Sequence, residues 1–406
     1  MDFHKDTFLI LTYMGLWKPR NLSKWKSISY NLYSAAVISM MITYGLSRFI
    51  NIVVASKNMA QFIFLTVLGS GLKGCNLFFY CSKFMNILET VSRPPFQCQS
   101  AEESAVHHQF SREVRRISRY SIMYLMIAAP YYGIDAFVTA LPTRKLPLEC
   151  WLPYDYSSLF SWSFSSVYLI LGMFWAIIFN GVYNSLSFEM MMQVVLQVKI
   201  LKIRLRNMIN TLHNAELKNN SSEVNRLLHQ LERQSLHHCV QYHNAVLRLS
   251  KDIKSMLSTI ILIQYSVTSI TLCTTVYLMT KTPVFSTNFF SFSFYFVFIF
   301  HQIYILCYAG HRTRMEFDSI GEVLYTANWF TLSEPSKQSI KFIMINAAKP
   351  FVFTCGGILK LDIDALKNVS ITQFNSTQVK STDYSFTDVM IFFQTLQLAY
   401  SIYNIL

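Results

Sequence analysis

One feature leaves this chain few options: it carries separate apolar runs near 29–52, 59–81, 119–142, 159–190, 256–280, 288–309 and 386–406. A helix of about 20 apolar residues crosses the hydrocarbon core of a bilayer. Inside that core every backbone N–H and C=O must be paired within its own segment, so runs of this length fold as spanning helices. An eighth apolar stretch, 340–358, is interrupted by Lys341, Lys349 and Pro350 and is expected to be helical without spanning. The sequence therefore predicts an all-α, seven-transmembrane helical membrane protein. With 52% hydrophobic and only 14% charged residues, the composition is not that of soluble domains.

The basic residues set the expected orientation. If the N-terminus is cytoplasmic, 29 of the 35 lysines and arginines fall on the inner side and five on the outer, with Lys73 inside a span. Positive residues near spans stay inside, so the N-terminus is expected to be cytoplasmic and the C-terminus extracellular, the reverse of a G-protein-coupled receptor. The net charge of +13 is explained by this topology, and no nucleic-acid partner is invoked. The expected organisation is a cytoplasmic N-terminal segment 1–28, transmembrane helices one to four over 29–196 and cytoplasmic helical extensions over 197–255. Transmembrane helices five and six follow over 256–309, then a cytoplasmic anchor helix and loop over 310–385, and a seventh helix over 386–406.

The polar stretches refine this plan. Phe8 to Trp17 is amphipathic and ends at Lys18-Pro19, so it suits the inner interface as well as it suits a loose tail. Residues 82–118 read as a solvated linker with a helical second half, and 143–158, rich in Pro and aromatics, as an ordered outer lid. Val194, Val198, Leu201, Leu205, Met208 and Leu212 form a heptad seam that carries the fourth helix out of the membrane, with Lys199, Lys202, Arg204 and Arg206 on its other faces. A second amphipathic helix, about 222–253, leads back in. Together with 313–358 these predict a cytoplasmic helical anchor bundle.

Chemistry is scarce. There is no phosphate-binding glycine loop, no metal-ligand motif and no nucleophile elbow, so neither an enzyme, nor a cofactor, nor a metal site is expected. What is abundant is aromatic surface in the outer halves of the spans. A small volatile, apolar ligand draws its affinity from buried apolar area and aromatic contact, which makes Phe64, Tyr131, Tyr132, Phe137, Tyr168, Phe174, Tyr277 and Tyr295 the candidate ligand-binding residues. The last segment is two-faced as a helix: one stripe carries Gln394, Gln397, Leu398, Ser401, Asn404 and Ile405. Such groups cannot face lipid, so they either hydrogen-bond to neighbouring helices or line a pore.

The series Cys307, Gly310, Phe317, Ser319, Tyr325, Trp329, Lys337, Met344, Ala347, Ala348, Lys349 and Pro350, closed by Tyr400-Ser401-Ile402-Tyr403-Asn404-Ile405-Leu406, resembles the C-terminal signature of insect odorant receptors. That resemblance implies the odorant-binding subunit of a ligand-gated, non-selective cation channel. Such a subunit sits multi-pass in the plasma membrane of a sensory dendrite and acts with a shared co-receptor subunit in a heterotetramer. It implies partners of four kinds: the co-receptor, a small volatile ligand, membrane lipid, and monovalent and divalent cations. It also makes the last helix the pore wall, with Ile405 at a hydrophobic gate and Asn404 beside it. The chain lacks the co-receptor's longer second cytoplasmic loop, and departs from the family in its polar insert Asn368 to Asp383, expected to be a mobile loop. The alternatives are a gustatory receptor-type channel of the same superfamily and a secondary transporter of small molecules.

Overall fold

The structure is a computed structural model that describes residues 5–19, 23–55, 58–142, 144–148, 150–218, 222–284, 286–347, 351–357 and 359–363. Its described residues form eight α-helices: α1 (Lys5–Tyr13), α2 (Lys24–Ala55), α3 (Asn58–Val91), α4 (Ala101–Ala140), α5 (Leu159–Lys218), α6 (Ser222–Lys281), α7 (Thr287–Thr326) and α8 (Glu334–Ala347). Strands β1 (Thr354–Cys355) and β2 (Leu359–Lys360) pair antiparallel after α8. The expected seventh helix, 386–406, and the insert 368–383 lie outside the described residues.

Helix length shapes the molecule. α5 and α6 each run 60 residues, which at about 1.5 Å per residue is roughly 90 Å, three times the thickness of a hydrocarbon core. Both must therefore project far beyond the membrane. α4, α5, α6 and α7 are each long and apolar enough to cross it, and α2 and α3 pack alongside them. α5 is the central element, against which α2, α3, α4, α6 and α7 all pack, and its segment from Asn180 to Val198 is buried throughout.

The projecting halves are tied by charge as well as by the seam. Val194, Val198, Leu201 and Leu205 are fully buried, as the heptad pattern predicts. The basic residues on the other faces of α5 do not simply face water. Arg204 makes a bidentate pair with Glu103 of α4 (3.0 and 3.1 Å), donates to the carbonyls of Pro95 and Gln97, and lies 4.1 Å from the centroid of the Tyr242 ring. Lys202 pairs with Glu316 of α7 and donates to Ser319 (2.8 Å), and Arg206 pairs with Glu102 (2.5 Å).

Two expectations about connections are corrected. The linker expected over 82–118 is mostly helix: α3 continues to Val91 and α4 begins at Ala101. Ser100 Oγ accepts from the Glu103 N–H (3.1 Å) and the Glu103 carboxylate reaches back to the Gln99 N–H (2.8 Å), a capping arrangement that starts α4, the helical second half expected of this stretch. The stretch 340–358 is not helical throughout either, because α8 ends at Ala347 and the β hairpin follows. That hairpin region is fixed to the main bundle: Lys254 and Ser258 of α6 donate to the carbonyls of Val352 and Thr354, and Asp362 holds His311 (2.8 Å) and Arg314 (2.5 Å) of α7. Gly310 explains itself here, since a Cβ at that position would stand 2.3 Å from the Leu361 carbonyl oxygen.

The N-terminal segment is docked. Thr7 and Leu11 of α1 are buried, Asp6 pairs with Arg119 of α4 (2.7 Å), and Thr7 Oγ1 donates to Glu189 of α5 (2.7 Å).

Candidate ligand site in the outer half of the bundle

In the half of the bundle away from the basic extensions, α4 and α7 face each other through aromatic rings. Tyr131 and Tyr132 of α4 are 5.4 Å apart; both pack on Phe294 of α7, at 5.3 and 6.0 Å, and Tyr132 also meets Tyr295 at 6.0 Å. Both hydroxyls reach Ser291, Tyr131 at the side chain and Tyr132 donating to the backbone carbonyl, each at 3.2 Å. The group continues inward to Phe298, 6.4 Å from Tyr295.

A second group abuts the first. Tyr44 of α2, Leu148 and Cys150 of the outer loop, and Leu169 and Met173 of α5 form a buried cluster, and Tyr132 and Tyr168 pack against it. Tyr44 lies so close to α5 that a Cβ on Gly172 would stand 2.7 Å from its ring. The outer loop is ordered over this cluster, as expected of a lid. Its Trp151 N–H donates to the Ser47 carbonyl (3.3 Å), Ser47 Oγ donates back to the Trp151 carbonyl, and Trp162 Nε1 donates to the Lys145 carbonyl (3.0 Å).

The sequence-predicted residues are thus partly brought together. Tyr131, Tyr132 and Tyr295 share one group, and Tyr168 joins its neighbour, where its hydroxyl meets Thr43 Oγ1 at 2.8 Å. Phe137 sits further out against Trp162 (6.0 Å), and Phe174 packs on the main core. Tyr277 stands apart, 54% exposed, with Lys281 over its ring at 5.9 Å. The side chain of Phe64 and all of Gln394, Gln397, Leu398, Ser401, Asn404 and Ile405 lie outside the described residues.

Below the aromatic groups lies a polar network that sequence reasoning passed over. Lys73 of α3, 1% exposed, donates to Asn180 Oδ1 and to Asn184 Oδ1 (2.7 Å) of α5. The amide nitrogens of Asn180 and Asn184 point to Gln302 Oε1 of α7 (3.4 and 3.3 Å), which also accepts from Gln264 of α6 (3.2 Å). Gln264 donates on to Thr268 (3.0 Å). Beside them Tyr183 donates to Asn76 (2.6 Å). The signal was present in the sequence as amides one helical turn apart, at 180 and 184, within an apolar run.

The model of the 7tm odorant receptor family matches residues 51–374, most of the chain. The chain belongs to the insect odorant receptor family. This receptor is 20% identical to odorant receptor Or1 of Anopheles gambiae over 95% of both chains. It is 22% identical to odorant receptor 83a of Drosophila melanogaster over 59% of this chain and 62% of that one. Its fold is that of the insect olfactory receptor OR5 from Machilis hrabei, with a TM-score of 0.77 at 15% identity over 93% of this chain and 97% of that one. The OR5 structure in complex with eugenol matches at 0.75 and 15% identity, over 92% and 96%. The receptor therefore has the seven-helix membrane fold expected from its apolar runs, and its relatives are receptors rather than enzymes.

Proposed function

We propose that this receptor is the odorant-binding subunit of a ligand-gated, non-selective cation channel, acting with a co-receptor subunit in a heterotetramer at the plasma membrane. The observation that carries the ligand half of the reading is the aromatic group of Tyr131, Tyr132, Phe294, Tyr295 and Phe298 between two membrane-crossing helices. Apolar walls with a few convergent polar groups are what a small volatile molecule needs, since burial of its apolar area supplies most of its affinity. Ser291 and the tyrosine hydroxyls provide polar contacts near those walls. The OR5 receptor in complex with eugenol, a small aromatic ligand, supports the same class of guest.

The channel half rests on family membership and on the two-faced sequence of 386–406. Helices with one amide-rich face, contributed by this receptor and by its co-receptor partners about one axis, make a wet pore, and Ile405 is this receptor's contribution to an apolar ring that closes it by dewetting. The test is a panel of volatiles applied to cells that express the receptor with the co-receptor, and to cells that express either alone. Odorant-evoked currents in the co-expressing cells alone support the reading. Saturable uptake by the receptor alone, without current, favours a secondary transporter instead.

A further inference from the structure

Lys73 is the one charged side chain of the polar network, and its surroundings are short of negative charge. Among the described residues no carboxylate pairs with it. Two ammonium protons go to neutral amide oxygens, and the Tyr183 ring lies 5.7 Å away. A buried amine held only by neutral groups is costly to keep charged, and an ionisable side chain inside a membrane bundle is a functional-site candidate by default. The rest of the network does not supply one. Asn180, Asn184 and Gln264 all aim N–H groups at the single oxygen of Gln302, at 3.2 to 3.4 Å. Three long bonds converge on one acceptor, so the cluster as a whole is richer in donors than in acceptors.

Its position joins it to the aromatic site. On α7, Tyr295, Phe298 and Gln302 follow steps of three and four and share one face. Gln302 thus lies about 10 Å inward of Tyr295 at 1.5 Å per residue. On α5, Ile177 packs against both hydrophobic clusters, and Asn180 and Asn184 continue its face by steps of three and four. On α3, Gly69 precedes Lys73 by one turn. It is buried, and a Cβ there would meet nothing within 4 Å. There is therefore room beside α3 one turn outward of Lys73.

We infer that Lys73, held by Asn180 and Asn184, is the polar anchor of the ligand site, and that preferred ligands are short apolar molecules ending in an accepting oxygen, a carboxylate or a carbonyl. The inference rests on the ligand-gating reading above. An accepting oxygen takes the remaining ammonium proton and relieves the donor excess, while the chain of the ligand lies along Phe298 and Tyr295.

The test is a dose–response series of one chain length, hexanoic acid, hexanal and hexane, on cells co-expressing the receptor and co-receptor. Current from a direct co-receptor agonist serves as the measure of assembled channels. In the unmodified receptor the acid or the aldehyde is expected to act at concentrations at least about ten-fold below hexane, the scale of a charge-assisted hydrogen bond. Which of the two leads distinguishes a carboxylate from a carbonyl preference. Lys73→Met should level the series, and Lys73→Arg should keep its order. Equal potency across the series in the unmodified receptor overturns the inference whatever the variants do, and so does an equal shift of all three ligands in Lys73→Met. Should volatiles of every class fail to open a pair that answers the co-receptor agonist, the ligand-gating reading itself falls, and this inference with it.

Discussion

Arg204 shows how much of the cytoplasmic bundle hangs on one side chain. Its guanidinium satisfies Glu103 with two bonds, closes the 92–100 turn through two carbonyls and stacks on Tyr242. A planar fork does all three, and a lysine does not. Arg204→Ala leaves the Glu103 carboxylate, whose side chain is 4% exposed, without its partner, and should cost about 3–5 kcal/mol. Thermal unfolding of the detergent-solubilised receptor reads this, and a shift no larger than that of Arg206→Ala, at an exposed pair, would contradict it. From the sequence Arg204 was one of four basic residues outside the seam; its partner sits 101 positions away on another helix, and periodicity carries no information about such pairs. Lys73 was visible as a charge inside a span, but its partners Asn180 and Asn184 lie 107 and 111 positions away and were unreadable for the same reason. At the candidate site, Tyr132 touches both aromatic groups. Tyr132→Ala should raise the effective odorant concentration about ten-fold, from lost ring contact and apolar burial. Current from a direct co-receptor agonist should persist, and loss of both responses would assign Tyr132 a structural role.

At the scale of elements, α8 is held by α6 through one carboxylate. Glu232 accepts from the Ser333 N–H (2.9 Å) and hydroxyl (2.8 Å) at the start of α8. Burial pushes the Glu232 carboxyl up, but hydrogen bonds from Ser336, Ser333 and His229 outweigh it and hold it below the usual carboxylate range. Its contribution is therefore present at neutral pH and lost as pH falls through the carboxylate range. His243, elsewhere on α6, is pushed below its ordinary value by burial. The unfolded chain binds that proton first, so stability begins to fall as pH drops below about 6.5. The unfolding midpoint of the solubilised receptor should accordingly decrease on acidification from neutral pH, and His243→Leu should remove the earlier part of that decrease. A midpoint that holds steady or rises would contradict both assignments. The proposed pore segment, 386–406, carries a separate expectation: Ile405→Ala should raise basal current in the co-expressed channel, because a smaller apolar side chain at the proposed gate dewets less readily. Unchanged basal and evoked current in that variant and in Gln394→Ala would remove this segment from the pore wall. The elements themselves were legible where one rule dominated, as in the apolar runs and the α5 seam. They were misread at 82–91, which α3 occupies, and at 340–358, where a hairpin, a local hydrogen-bond device, follows α8.

The whole molecule follows from hydropathy and from the excess of long helix. Apolar runs set the crossings, and the 60-residue lengths of α5 and α6 force a bundle beyond the membrane. The candidate site was legible only in outline: aromatic residues were abundant enough to name, but their grouping depends on how α4 and α7 face each other, and Tyr277 fell on an exposed surface while Phe294 and Ser291 went unnamed. The proposed odorant-gated path for cations belongs to this receptor and a co-receptor together. Its most direct test is the reversal potential of the odorant-evoked current in co-expressing cells as sodium, potassium and calcium are exchanged. The expected current needs both subunits, reverses near zero with either monovalent cation and persists in part with calcium. An odorant response that survives removal of all permeant cations, or one carried by the receptor alone as substrate uptake, would contradict it.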